Sequence, residues 1–482
     1  MLEMYRTLAQ AIFGLPDTLS GSILSFWLDL VTVCRLDSAV CNKSTRVTFQ
    51  NLLQRIECVG LLSALNNEQL AWMNKRSISS TEFCMTDDTS EEESRQFLQR
   101  SGASINVFCQ FCTEPNAPSL QLVVQYCHNL LKMCLLAPYQ LSECFELLRT
   151  NRNLIELTLT DNCNGDDTFP VSDLSLPNLR YIRLESTIMS DVDILILLKT
   201  APNLVFLALP YAIGTSVGLV EAIRLCPKLR FLEPPNQQNI DYTLISIVDS
   251  CVYLEHLCLT ACTNLTDAGI IAVAENVKGL RSIKFTYATN VTDMCLNVLA
   301  KQQHSTLEIF IVGKTYGSWF DLPNVMEAVE EPKLPFSSEA LTAFREKCTR
   351  LCVFDIHWRI LIRGEDNTEE IVCYIANAVN VTKLNLTYVN NSILHAIASY
   401  CMELRVLDLF DIWSRDVTLC SDTLWLDIAE HCTKLHSIVV DDDATILRKQ
   451  LEKYPTIIKK CPDIILSLDD LYQQYKKLLR FM

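Results

Sequence analysis

Apolar residues return along the middle of the chain as Leu-x-x-Leu-x-Leu: LIELTL starts at Leu154, LRYIRL at Leu179, LVFLAL at Leu204, LRFLEP at Leu229 and LEHLCL at Leu254. These five starts fall 25 residues apart. Weaker versions start at Leu130, Leu280, Leu307, Leu351, Val381, Leu404 and Leu435, giving twelve units in all. Inside each unit the apolar positions alternate with polar or aromatic ones, the period of a short strand with one buried side. The residues that follow carry a different period. In TACTNLTDAGIIAVAENV a turn-forming stretch leads to Asp267, and the spacing predicts a helix from there that buries Ile270, Ile271, Val273 and Ala274.

A unit this small cannot hide its own apolar side, so each strand must stack on the next and the inward residues merge into one ladder-shaped core. Consecutive parallel strands need a crossover, which the helix supplies. The predicted fold class is therefore α/β: a right-handed leucine-rich-repeat solenoid (horseshoe) with a parallel concave sheet and convex helices, preceded by a small all-α segment. With 482 residues and 49% hydrophobic content the chain can bury such a core without dividing into conventional domains.

Cys127, Cys226, Cys251, Cys348, Cys401 and Cys432 each stand three residues before the first position of a repeat. Together with TNLTDAGI and TNVTDMCL, the pattern C-x-x-L-x-x-L-x-L over roughly residues 104–440 resembles the cysteine-containing leucine-rich repeats of F-box proteins. Thiols at these places are expected to pack as small apolar groups. The N-terminal residues lack a basic and apolar leader, and no later run of about 18 apolar residues follows, so a cytoplasmic and/or nuclear setting is expected for the 22 cysteines. Cys109-Gln-Phe-Cys112 has no second pair at zinc spacing, and neither metal nor cofactor is expected.

Ahead of the repeats, residues 14–46 read Leu-Pro, then Ile-Leu-Ser-Phe, then an apolar stretch ending in Val-Cys. Pro16 suits a first helical position, and Leu19, Ile23, Leu24 and Phe26 then share a helical face. This segment resembles an F-box. The resemblance implies that Leu15, Pro16, Ile23, Leu24 and Val40 pack against a Skp-type adaptor and, through it, a cullin. The alternative is a helical cap that shields the first repeat from water. The expected organisation is an F-box-like helical segment over 1–60, a helical linker with an acidic loop over 61–103, and repeats over 104–442 with an insertion near 313–345. A C-terminal helical cap would cover 443–482.

The alternation of a strand places the residue before the second consensus position on the concave surface, which names Tyr181, Phe206, Phe231 and His256 as one column. Such a column serves either as a protein-binding hot spot or as cross-strand stacking partners. Arg183 and Glu233 stand beside it, and Trp319 in the insertion is a second binding candidate. No Gly-x-Ser-x-Gly, His-Glu-x-x-His or Gly-x-Gly-x-x-Gly occurs, and Gly313-Lys314-Thr315 lacks the loop that would wrap a phosphate. A formal charge of −16 opposes nucleic acids and anionic membranes. The expectation is a non-catalytic subunit that captures an unidentified protein substrate for a Skp-cullin-F-box ubiquitin ligase, or else a stand-alone interaction scaffold or inhibitor.

Overall fold

The computed structural model describes residues 66–112, 120–136, 141–160, 174–185, 191–210, 216–235, 239–260, 262–285, 290–313, 336–351, 353–357, 382–386, 390–409 and 422–440, with isolated positions between and before them. Two compact units divide the chain, residues 1–228 and 229–482.

In the first unit β1 (Glu57–Cys58) and β2 (Ser79–Ser80) pair in parallel on either side of helix α1 (Asn67–Arg76). The chain then alternates β3 (Glu82–Thr86), α2 (Glu91–Ser101), β4 (Val107–Phe111), α3 (Gln121–Tyr126), β5 (Lys132–Leu135), α4 (Leu141–Thr150), β6 (Glu156–Thr160), β7 (Tyr181–Glu185), α5 (Asp191–Thr200), β8 (Phe206–Ala208) and α6 (Ser216–Ile223). Strands β3 to β8 pair in parallel and in chain order. The second unit runs β9 (Phe231–Glu233), α7 (Ile240–Ile247), β10 (His256–Leu259), α8 (Asp267–Asn276), β11 (Ser282–Phe285), α9 (Asp293–Gln302) and β12 (Ile309–Gly313). It continues through α10 (Ser338–Lys347), β13 (Val353–His357), β14 (Lys383–Asn385), α11 (Asn391–Tyr400), β15 (Val406–Leu409), α12 (Asp422–His431) and β16 (Ser437–Val440). Strands β9 to β16 also pair in parallel and in order. The architecture is an α/β leucine-rich-repeat solenoid, and all twelve expected units form strands.

The repeats begin earlier than expected. Strand β3 is in register with β4, Phe83 opposite Phe108 and Met85 opposite Gln110, so residues 82–101 are a repeat and not a linker. The stretch MTDDTSEEES, expected as an acidic loop, is the end of this strand, a turn and the first turn of α2. Ser90 accepts a hydrogen bond from the Glu93 N–H as its N-cap, and Glu91, Glu92 and Glu93 favour the positive end of the helix dipole. Phe97 and Leu98 of α2 then bury their side chains, and Phe83 stacks on both Phe97 and Phe108 at 5.3 and 6.2 Å between ring centres.

The consensus positions form the core: Leu154, Leu157 and Leu159 of one repeat and Leu204, Leu207 and Leu209 of another are all fully buried. Each buried leucine stabilises the fold by about 1.5–3 kcal/mol relative to exposure. The six cysteines that precede consensus positions are buried too. Their backbone closes the helix that ends there. Cys251 N–H donates to Ile247, and Cys251 C=O accepts from Leu254 at 3.1 Å, turning the chain into β10. Cys348, Cys401 and Cys432 repeat this geometry. At two equivalent turns an amide stands instead. Asn151 is 2% exposed; its Nδ2 donates to the Cys127 and Leu147 carbonyls at 3.0 Å each and its Oδ1 accepts from Leu130 N–H at 2.8 Å. Gln303 is fully buried and donates to the carbonyls of Ala274 and Val277 in the preceding repeat.

A second device links the helix starts of the second unit. Asp241 in α7 accepts from both the N–H and the hydroxyl of Thr266, the N-cap of α8, at 3.1 and 2.6 Å. Asp267 does the same to Thr292, the N-cap of α9, at 2.8 and 2.6 Å. Asp293 then accepts from Ser337, the N-cap of α10, at 2.8 and 2.7 Å, although Ser337 falls within the stretch 313–345 expected as an insertion. Helix α10 is thus a regular repeat helix, and the departure from the period is complete by Phe336, which packs against Phe285 at 6.0 Å. In α8 the buried side chains include Ile270, Val273 and Ala274 as expected, whereas Ile271 is half-buried.

Candidate protein-binding surface

Strand alternation turns every second residue away from the core, and the registers define two rows on that face in each unit. In the first unit one row runs Glu82, Val107, Lys132, Glu156, Tyr181 and Phe206. Lys132 Nζ lies 2.7 Å from Glu156 Oε1 with both side chains well exposed, a pair worth no more than about 1 kcal/mol. Tyr181 and Phe206 stack nearly face to face, 3.9 Å between ring centres at 13°. Of the two roles the sequence leaves open for these rings, cross-strand stacking is present, and both rings remain half-exposed. Burial pushes the Tyr181 phenol up to about 12, with the charge and hydrogen bond of Arg183 acting in the opposite direction. The phenol is therefore a neutral hydrogen-bonding group beside a guanidinium.

The second row of this unit runs Cys84, Cys109, Cys134, Thr158, Arg183 and Ala208. Cys84 and Cys109 are buried and Cys134 is half-buried. Cys112, the other half of the Cys-x-x-Cys, is buried, and burial with the nearby Asp87 charge raises its thiol to about 11. Among the described residues no group of three or more His, Cys, Asp or Glu side chains is placed to hold a metal ion. Burial raises Cys127, Cys251, Cys348 and Cys401 to about 12, which keeps them as protonated thiols at neutral pH.

In the second unit the corresponding row runs Phe231, His256, Ser282 and Ile309. The Phe231 and His256 rings are tilted by 32° at 6.4 Å, a looser contact than that of Tyr181 and Phe206. Burial lowers the His256 pKa, the charge of Arg281 acting in the same direction and those of Glu255 and Glu308 opposing it. Glu233 departs from its expected surface role. It is only 6% exposed, and its Oε1 accepts from Thr260 Oγ1 at 2.7 Å and from Cys258 Sγ at 3.5 Å. The carboxylate ties the end of β9 to the turn after β10. Trp319 and the adaptor residues Leu15, Pro16, Ile23, Leu24 and Val40 lie outside the described residues.

At the N-terminal side of the first unit Asp37 is 3% exposed. It accepts from Trp72 Nε1 at 3.1 Å and from Arg76 Nε and Nη2 at 3.1 and 2.8 Å, both residues of α1. Residue 37, ahead of the first repeat, is thereby hydrogen-bonded to α1. Among the described residues no helix is long and apolar enough to cross a membrane.

The repeat geometry defines the class as a leucine-rich-repeat protein. No family model matches the chain, and no curated protein matches it. Among solved structures, the Rad7 and Elc1 complex from yeast aligns with 15% identity and a TM-score of 0.48 over 80% of this chain and 87% of the matched chain. The leucine-rich-repeat-containing protein LegL7 from Legionella pneumophila aligns with 11% identity and a TM-score of 0.36, over 53% and 80%.

Proposed function

We propose that the chain is a non-catalytic protein-binding subunit that captures a protein on the open face of its repeat sheet. The observation that supports this reading most directly is the half-exposed stack of Tyr181 and Phe206 beside Arg183 and the Lys132–Glu156 pair. Rigid aromatics bordered by charge are what recurs where binding energy is concentrated, and their partial exposure otherwise carries a solvation cost. In the second unit Phe231 and His256 form a half-exposed ring pair of their own. Its contribution is binding, and any chemistry belongs to partners.

The finer reading is that residues 1–60 dock a Skp-type adaptor and so bring the captured protein to a cullin-based ubiquitin ligase in the cytoplasm or nucleus. It rests on the F-box resemblance of residues 14–46, through Leu15, Pro16, Ile23, Leu24 and Val40. Tethering a substrate near a charged ubiquitin carrier makes transfer effectively intramolecular. The contacts of Asp37 with Trp72 and Arg76 favour a second reading, in which this segment caps a stand-alone scaffold. Co-purification with the Skp adaptor separates the two. Stoichiometric binding by the full chain, lost in a Leu15→Ala, Pro16→Ala double variant with unchanged circular dichroism, supports the ligase subunit. A folded wild type that does not bind leaves the scaffold. Substrate capture is tested separately by Tyr181→Ala and Phe206→Ala, which are expected to weaken partner binding without altering adaptor binding.

A further inference from the structure

Along the edge of the second unit where its strands begin, charge alternates. Arg230, Glu255, Arg281 and Glu308 each follow a first consensus leucine, and Arg350 precedes the equivalent Leu351. Glu255 lies 3.3 Å from Arg230 and 3.9 Å from Arg281; Glu308 lies 2.9 Å from Arg350 and 3.7 Å from Arg281. Each carboxylate therefore has a nearer guanidinium of its own, and Arg281 is the surplus cation. Neither of its two contacts is within hydrogen-bond length, so its N–H donors are not taken up by them. The Arg281 side chain is 52% exposed, against 28% and 27% for the two glutamates, so an approaching group meets the guanidinium first.

A groove of about 240 Å³ opens over this cation. One wall is apolar, Val252 and Tyr253, which are 52% and 64% exposed. Gly279 also lines it, and a Cβ added there would meet nothing within 4 Å. The volume is below the roughly 300–1,000 Å³ of sites for drug-sized molecules and suits one or two side chains of a protein segment. Arg281 and Arg350 line the groove with Glu255 and Glu308, and Arg230 stands outside it against Glu255, so the excess of one positive charge belongs to the edge as a whole, on a molecule whose formal charge is −16. A dianion seated on Arg281 would face Glu255 and Glu308 with twice the repulsion, whereas a single carboxylate matches the local excess.

We propose that this groove captures an aspartate or glutamate side chain, with an apolar neighbour, on an extended segment of a protein partner. Arg281 takes the carboxylate in a charge-assisted hydrogen bond, and Val252 and Tyr253 take the neighbour. The site lies at the strand edge and is independent of the aromatic stack of Tyr181 and Phe206.

The test is an array of capped dodecapeptides with randomised flanks around a central Leu-Glu, Leu-Gln or Leu-phosphoserine pair, probed with the full chain. Glutamate-centred peptides are expected to hold the protein at a roughly ten-fold lower concentration than glutamine-centred ones. Arg281→Gln brings the two to parity, and Tyr253→Ser weakens both. Tyr181→Ala leaves the preference unchanged, which keeps the result separate from the capture reading above. A preference that is missing in the wild type, or that survives in Arg281→Gln, overturns the proposal. Phosphoserine outranking glutamate overturns it as well. Should Arg281→Gln lose its circular dichroism signal, Tyr253→Ser at its exposed position decides, and undiminished binding by that variant is the refuting result.

Discussion

Replacing Asn151 with alanine removes four side-chain hydrogen bonds, and the partners differ in what they have left. The Leu147 carbonyl keeps the Asn151 N–H at 3.0 Å, and the Thr150 hydroxyl keeps the Glu146 carbonyl at 2.9 Å. The Leu130 N–H and the Cys127 carbonyl lose the amide that served them, in a buried turn. Each orphaned buried group costs about 1–3 kcal/mol. Some relaxation brings the expected loss to about 3 kcal/mol. Because each repeat leans chiefly on its neighbours, the loss should be local and should not appear as a uniform drop. Hydrogen exchange read on peptides spanning residues 127–136 is the assay: about 3 kcal/mol corresponds to exchange faster by roughly 100-fold there. Peptides from the second unit should change little. Asn151→Cys restores the residue that other repeats use and fills the volume without the donors, so it should fall between alanine and the wild type. Acceleration of less than about ten-fold, or an equal change along the whole chain, would refute the argument that this amide stitches adjacent repeats.

Asp267→Ala removes both acceptors of Thr292 and should lower stability by about 1–2 kcal/mol, with Asp267→Asn losing less; melting temperature and exchange at the start of α9 measure it. In Gly102→Ala the new Cβ would stand 2.7 Å from the Tyr126 carbonyl oxygen, a backbone atom that cannot swing aside, and a loss of about 1–3 kcal/mol is expected in urea unfolding. Burial raises the thiols of Cys127, Cys144, Cys251, Cys348 and Cys401 from 9.0 to about 12, so the folded chain keeps protons that the unfolded chain releases. Their contribution is fully present below about pH 9 and is lost as the pH rises towards 12. The urea midpoint should therefore drop between about pH 8 and about pH 10, and less so in Cys401→Ala; an unchanged midpoint would contradict the burial argument.

The strands β5 to β16 were legible because each keeps enough of Leu-x-x-Leu-x-Leu to show its period. The first two repeats hide because polar residues hold core positions. Ser80 stands where a first leucine is expected and is fully buried, and Gln110 stands at the third position of its repeat and is 3% exposed. An acidic run likewise conceals the start of α2, since glutamates in a first helical turn read as a loop until a cap is found behind them. The cysteine positions pointed to the core because a thiol tolerates burial, but the roles of Asn151 and Gln303 depend on carbonyls more than 20 residues away and leave no local mark. Alternation accounts for the register of Tyr181 with Phe206 in the first unit and of Phe231 with His256 in the second, whereas the burial of Glu233 escapes it because its partners Cys258 and Thr260 come from the next repeat. Asp267 and Asp293 carry a signal in the Thr-Asp pairs at 266–267 and 292–293, which follow one another at nearly the repeat period, whereas Asp241 follows an isoleucine and carries none.

The aspartate ladder makes each helix start a template for the next. From Asp241 to Thr266 and from Asp267 to Thr292 the chain travels 25 residues, and from Asp293 to Ser337 it travels 44, yet the two bonds at each step are of the same kind and nearly the same length. Phase in this molecule is carried by side-chain recognition between neighbours and not by counting residues. A segment of new length can therefore be spliced between a strand and its helix, provided a hydroxyl-bearing N-cap follows to meet the waiting carboxylate. That leaves the loops of the second unit free to vary while the stack behind them keeps time.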